Sequence, residues 1–149
     1  MNIKLIALDL DGTLLDTDHA TIPQRNLEAL RAAAEQGVDL AIASGRSWSL
    51  VRETAQALGP ARYGITANGA YVLDVATGQA VGQTGMDVGQ CARIIRILRR
   101  YDLPYELYID GDNYVGRNDV SPLGDYALSQ NFLEMFSRRM TVVDDMIKG

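Results

Sequence analysis

Hydrophobic positions fall into two kinds of pattern along the chain, short continuous runs and stripes at helical spacing. Ile3-Lys4-Leu5-Ile6-Ala7-Leu8 is a nearly continuous apolar run, rich in β-forming residues, and it stops abruptly at Asp9-Leu10-Asp11-Gly12-Thr13. A run of this kind predicts a strand buried on both faces that delivers polar groups at its C-terminal end. Pro23 suits the first turn of a helix, Leu27, Leu30 and Ala34 recur at helical spacing, and Gly37 is a natural stop. Val38 to Ala43 predicts a second strand ending in Ser44-Gly45-Arg46. Val51, Thr54, Ala55 and Leu58 give the next helix its inner face, closed by Gly59-Pro60. Tyr63 to Ala70 then predicts a third short strand running into a turn, with Asn68-Gly69 expected at positive φ.

The pattern changes after this point. Tyr71-Val72-Leu73 and Ala80 to Thr84 predict a hairpin, and the first unit is expected to close near Gly85. Asp87 with Gln90 three residues on has the form of a capping box, followed by a stripe of Cys91, Ile94, Ile95 and Leu98. Cys91 lies on that stripe and is read as core. Tyr105 to Ile109 and Tyr114 to Arg117 predict a second hairpin around Asp110-Gly111-Asp112-Asn113.

Composition narrows the class. With 149 residues, 47% hydrophobic and 22% charged, the chain has the makings of a folded globular domain. A net charge of −5, with arginines scattered rather than gathered in a stripe, argues against nucleic acid as a partner. A single cysteine makes no internal disulfide, and Met1 leads straight into a strand-like segment. No signal peptide or long apolar span is read, so a cytoplasmic protein without membrane attachment is expected.

The strand tips carry the candidate chemistry. In open α/β sheets ligands bind outside the carboxyl ends of the strands. In extended backbone Asp9 and Asp11 point the same way and Leu10 points away. Two neighbouring carboxylates repel unless a cation or shared proton relieves them, and Mg²⁺ suits such hard oxygen donors. Two aspartates before a glycine equally suit an ordinary turn. Strand, helix, strand at this spacing implies a right-handed parallel crossover that brings Ser44 to the same sheet edge as Asp9. There the Ser44 hydroxyl and the Gly45 N–H could bind a phosphoryl oxygen, aided by the positive end of a helix opening near Ser47. Serine at this place equally suits a helix cap. Lone His19 reads as a solvated loop residue.

Asp9-Leu10-Asp11-Gly12-Thr13-Leu14-Leu15 resembles the first motif of the haloacid dehalogenase (HAD) superfamily. Ser44-Gly45-Arg46 and Asn68-Gly69-Ala70 are similar to two motifs of its Cof-type branch, subfamily IIB. The resemblance implies an α/β fold: a Rossmann-like HAD core with a parallel sheet, its first part over residues 1–85. Residues 86–149 would then begin an inserted α/β cap of the C2B type. It implies a Mg²⁺-dependent phosphatase of small phosphate esters, sugar phosphates or cofactor-like compounds. Asp9 would be the nucleophile that becomes an aspartyl-phosphate, Asp11 the general acid/base, and both would be metal ligands. Gly12, Thr13, Ser44 and Gly45 would hold the phosphoryl group, with Arg46 and Asn68 candidates for substrate contact.

The resemblance covers about the first half of a Cof-type chain. Such a phosphatase also needs a cation near the phosphoryl oxygens and further acids, yet the lysines are Lys4 and Lys148 alone. Weak turnover, a completing chain or a homo-oligomer is therefore expected. A non-catalytic binding or self-associating module and a phosphomutase are the alternatives. Asp110-Gly111-Asp112 imitates an acidic pair but lies in a turn between polar strands, Gly111-Asp112-Asn113 with Asn118-Asp119 has a spacing too long for its members to converge, and Asp144-Asp145 follows Val142-Val143 with no crossover to place it beside Asp9.

Overall fold

The computed structural model describes residues 3–103, 105–116 and 140–143. Strand and helix alternate first: β1 (Leu5–Leu8), α1 (Gln24–Glu35), β2 (Asp39–Ala43), α2 (Trp48–Leu58) and β3 (Ala61–Thr66). Two strands then follow without a helix, β4 (Tyr71–Asp74) and β5 (Ala80–Gln83). The five form one sheet in the order β1-β2-β3-β4-β5, the first three parallel and the last two antiparallel. The α/β architecture predicted from the hydrophobic pattern is the one adopted.

Strand order advances in one direction, and right-handed crossovers then place α1 and α2 on the same face of the sheet. On that face Leu40, Ile42, Val51, Ala55 and Leu58 form a buried core with Leu10 and Leu14 from the turn after β1. Ile6, Leu8, Leu27 and Leu30 pack at its margin. The middle of β2, which lies between β1 and β3, is covered, with Leu40 and Ile42 at 0% exposure.

The expectation for β1 is corrected. It lies at the end of the sheet, with Leu5 50% and Ile3 59% exposed. A run that is apolar on both sides describes a strand suited to two covered faces. Among the described residues, α1 and α2 cover one of them.

A second group of elements begins at α3 (Val88–Arg100), which opens with the predicted capping box. The Asp87 carboxylate accepts from the Gln90 N–H at 2.9 Å, and the Gln90 side chain accepts from the Asp87 N–H at 3.1 Å. Ile95 is buried, whereas Ile94 and Ile97 face solvent and Cys91 is half-buried, so the inner stripe is narrower than predicted. A three-stranded sheet follows, made of β6 (Leu107–Ile109), β7 (Asp112–Gly116) and β8 (Met140–Val143), with β6 antiparallel and β8 parallel to β7. The hairpin turn is tighter than predicted. Asp110 and Gly111 both take positive φ, 51° and 88°, so two residues suffice and Asp112 and Asn113 join the strand. Arg117, Asn118, Asp119, Asp144 and Asp145 lie outside the described residues.

This hairpin docks on the start of α2. The Ser49 N–H donates to the Gly111 carbonyl at 2.9 Å, and the Ser47 hydroxyl donates to the Asn113 side-chain oxygen. The Asn113 amide donates to Glu106 at 2.9 Å, and the Tyr108 hydroxyl donates to the other Glu106 oxygen at 2.5 Å. Burial, reinforced by Glu106, pushes the Tyr108 phenol above its ordinary value. Among the described residues no helix is long and apolar enough to cross a membrane.

Candidate active site

The parallel register sets the frame of the site. Leu8 lies opposite Ile42, so Asp9 and Ser44 emerge from adjacent strand ends, in a sheet whose strands are about 4.8 Å apart. After Asp9 the chain makes one wide helical turn over Leu10–Leu14, closed by the Leu15 N–H donating to the Leu10 carbonyl at 2.9 Å. Buried Leu10 and Leu14 anchor this turn in the core while Asp11, Gly12 and Thr13 stay exposed. Gly12 has a φ of +74°, a left-handed value that glycine takes without a Cβ penalty.

Because β1 ends at Leu8, strand alternation does not govern Asp9 and Asp11, and the two carboxylates keep different company. Asp9 is exposed, and Thr13 Oγ1 donates to its Oδ2 at 3.2 Å. Asp11 instead meets the tip of β2. Arg46 Nε donates to Asp11 Oδ2 at 2.8 Å and Arg46 Nη2 to Oδ1 at 2.5 Å. His19 Nδ1 lies 2.9 Å from the same Oδ1. Partial burial pushes the Asp11 carboxyl up, but hydrogen bonds and charge from Arg46 and His19 outweigh it and hold the group below its ordinary value.

Ser44 is 8% exposed. Its N–H donates to the Ile65 carbonyl at 2.9 Å, its hydroxyl accepts from the Arg46 N–H at 3.2 Å, and its carbonyl accepts from the Asn68 N–H at 3.3 Å. Gly45 backs directly onto Asn68. A Cβ at Gly45 would stand 2.9 Å from Asn68 Oδ1, so a larger residue there would push the Asn68 side chain aside. Asn68 has a φ of 56° and Gly69 of 90°, the positive-φ turn expected from the Asn-Gly pair.

Of the sequence-derived candidates, Asp9, Asp11, Gly12 and Thr13 thus lie on one turn. Ser44, Gly45, Arg46 and Asn68 lie on two loops bonded to each other beside it. Arg46, expected as a substrate contact, has a side chain only 5% exposed and turned onto Asp11. His19, expected as a solvated side chain, is corrected to a partner of Asp11. Its φ of 57° turns the loop back, and nothing in its sequence neighbourhood signals that turn. At the start of α2 the Gly111 carbonyl takes the Ser49 N–H, so that donor is not available to an anion.

The Asp9 carboxylate, exposed at the strand end, is a hard oxygen donor that fits Mg²⁺ when phosphate oxygens and waters fill the rest of its octahedron. Among the described residues no three acids, histidines or cysteines cluster to hold a metal by themselves. A cavity of about 680 Å³ is lined by Trp48, Tyr71, Met86, Cys91 and Tyr108 among others, and not by Asp9, Asp11 or Ser44. It meets the site at Ser47, Thr66 and Ala67.

A profile of the haloacid dehalogenase-like hydrolases matches residues 6–146. The 5-amino-6-(5-phospho-D-ribitylamino)uracil phosphatase YcsE of Bacillus subtilis is 43% identical over 74 residues, 50% of this chain and 29% of its own length. The pyridoxal phosphate phosphatase YbhA of Escherichia coli is 33% identical over 110 residues, 74% of this chain and 40% of its own. A solved haloacid dehalogenase-like hydrolase from B. subtilis superposes with a TM-score of 0.82 at 25% identity, covering 98% of this chain and 56% of that one. The chain spans about half the length of that solved relative. With nearly all of its length matched by the family profile, the chain belongs to the haloacid dehalogenase-like hydrolases.

Proposed function

We propose that this chain carries the nucleophile, the proton carrier and one phosphate anchor of a Mg²⁺-dependent phosphatase acting on small phosphate monoesters. The observation that carries the reading is the placing of Asp9 and Ser44 at adjacent ends of parallel strands, with the Asp11 turn and the Asn68 turn on either side. An Asp9 oxygen attacks phosphorus in line, the bond from phosphorus to the ester oxygen breaks, and the leaving oxygen takes a proton through Asp11, which is ionised at rest beside Arg46 and receives that proton from the phosphate monoanion. Water then attacks the aspartyl-phosphate, the Asp11 carboxylate takes its proton, and orthophosphate leaves with Asp9 restored. Ser44 Oγ and the Gly45 N–H hold non-bridging oxygens through these steps. Bound by Asp9 and the Asp11 carbonyl, Mg²⁺ would supply charge neutralisation at the phosphoryl oxygens.

For the substrate class we favour cofactor-like phosphates with a ring in the leaving group. Two relatives are named for such compounds, and the aromatic cavity, whose lining includes Ala67 next to Asn68, has room for a ring. The test is turnover of an aryl phosphate with Mg²⁺, using Asp9→Asn as control. Loss of all measurable turnover in the variant is expected, and equal rates in the two proteins would sink the assignment. A second reading, self-association along β1, is favoured by the exposure of Ile3 and Leu5 at the sheet edge. Light scattering after size exclusion reads it directly, and a monomer across the concentration range disposes of it.

A further inference from the structure

The tip of β2 does more than anchor phosphate. We propose that Arg46 is a positioning residue: its guanidinium fixes the orientation of the Asp11 carboxylate and ties it to the phosphate-anchoring loops. The kinetic part of this inference rests on the phosphatase reading above; the structural part does not.

The Arg46 side chain is 5% exposed, and both carboxylate oxygens of Asp11 are engaged, one by Nε at 2.8 Å and one by Nη2 at 2.5 Å. Nη2 also donates to the His19 carbonyl at 3.0 Å, which ties the loop that carries His19 to the same fork. The backbone of Arg46 is engaged as well. Its N–H donates to Ser44 Oγ at 3.2 Å, and its carbonyl accepts from the Ala67 N–H at 2.8 Å. One residue therefore touches the anchor hydroxyl, the Asn68 turn and the proton carrier.

Asp11 needs such a hold. It sits on an exposed turn beside left-handed Gly12, outside any strand ladder, so its backbone alone leaves the side chain free to rotate. A proton carrier works only when its oxygen is held close to productive geometry. A bidentate fork sets both oxygens of a carboxylate at once, whereas lysine offers a compact charge without that geometry. The covered guanidinium has its fork committed to Asp11, so a loss of substrate affinity is not the expected result of changing it.

Leaving-group dependence separates positioning from general damage. A dinitrophenolate departs without a proton, and an alkoxide does not. In single turnovers, Arg46→Lys should slow leaving-group release from an alkyl phosphate by about tenfold or more, within the range that acid–base groups contribute. The ester concentration at half-maximal release should stay within about twofold, and release of 2,4-dinitrophenolate should slow far less, because hydrolysis of the aspartyl-phosphate, which also uses Asp11, comes after the step being read. Equal losses in the release step on the two esters, or weaker half-saturation with an unchanged release rate, would overturn the proposal. A double-mutant cycle of Asp11→Asn and Arg46→Lys on chemical unfolding needs no turnover. Coupling of about threefold or more in the unfolding constant supports the clamp, and additive changes overturn it. If Asp9→Asn keeps the wild-type rate, the phosphatase reading has failed, and the unfolding cycle alone decides for or against Arg46.

Discussion

Asn113→Ala should be among the most damaging single changes available outside the main core. Asn113 is 1% exposed and sits at the joint between the second hairpin and the start of α2. Its side-chain oxygen accepts from Ser47 and from Ser49 Oγ at 3.3 Å, and its amide donates to Glu106 at 2.9 Å. Truncation removes the bond to a charged acceptor, worth about 1.5 kcal/mol at a partly exposed carboxylate, and about 1 kcal/mol from the serines. The vacated amide volume adds about 1 kcal/mol. Ser47 keeps Ser49 Oγ at 3.0 Å as a partner, so no full orphan penalty is added. The sum, about 3.5 kcal/mol, corresponds to a fall in Tm of about 7–14 °C for a chain of this size. Urea denaturation should show a lower midpoint with an unchanged m-value. Ser47→Ala should cost about 1 kcal/mol, since Asn113 keeps Glu106. A loss below about 1 kcal/mol for Asn113→Ala would refute the idea that this network joins hairpin and helix.

Other consequences are simpler. Leu10→Ala, at a site with 0% exposure, should cost about 3 kcal/mol in the same denaturation assay. Gly12→Ala meets no atom within 4 Å, so its cost of about 1 kcal/mol is backbone strain alone, and a neutral result would contradict the left-handed turn. The Asp18 carboxyl is held down to about 2 from 3.8, chiefly by the Thr21 hydroxyl and then by the Thr21 and Ala20 N–H groups. A carboxyl depressed on folding stabilises the fold above its unfolded pKa, and that share disappears as pH falls from about 4 toward 2. Acid titration of stability should therefore be shallower in Asp18→Asn than in the wild type over that window. Glu106→Gln should lower the Tyr108 phenol toward its ordinary value, read by ultraviolet titration.

The parts of the fold that could be read from sequence are those written in local periodicity. The apolar runs ending at Leu8 and Ala43, the stripe through Val51 and Leu58, and the capping box at Asp87 each have their cause within a few residues. So does the positive φ at Asn68, which an Asn-Gly pair favours. What escaped depends on contacts between distant segments. Arg46 and Asp11 are 35 residues apart and meet only because the β1-α1-β2 crossover folds back. Ser47 and Asn113 are 66 apart, and no pattern in either neighbourhood points to the other. The exposure of β1 escaped for another reason: an apolar run records what a strand is suited to contact, whereas burial depends on which elements cover it.

The two aspartates make the same point at the level of chemistry. In sequence they are a symmetrical pair around Leu10, and strand alternation would give them equal surroundings. The turn after Leu8 breaks that symmetry. Asp9 accepts a hydroxyl from within its own turn and stays exposed at the strand end. Asp11 is drawn to a cation on another strand tip and to an imidazole from the following loop. Carboxylates in unlike surroundings can divide the roles of nucleophile and proton carrier, and in the phosphatase proposed above that division would come from which segment supplies the neighbours. Changes at the β2 tip should therefore reach the chemistry through Asp11, while changes at Thr13 should reach it through Asp9.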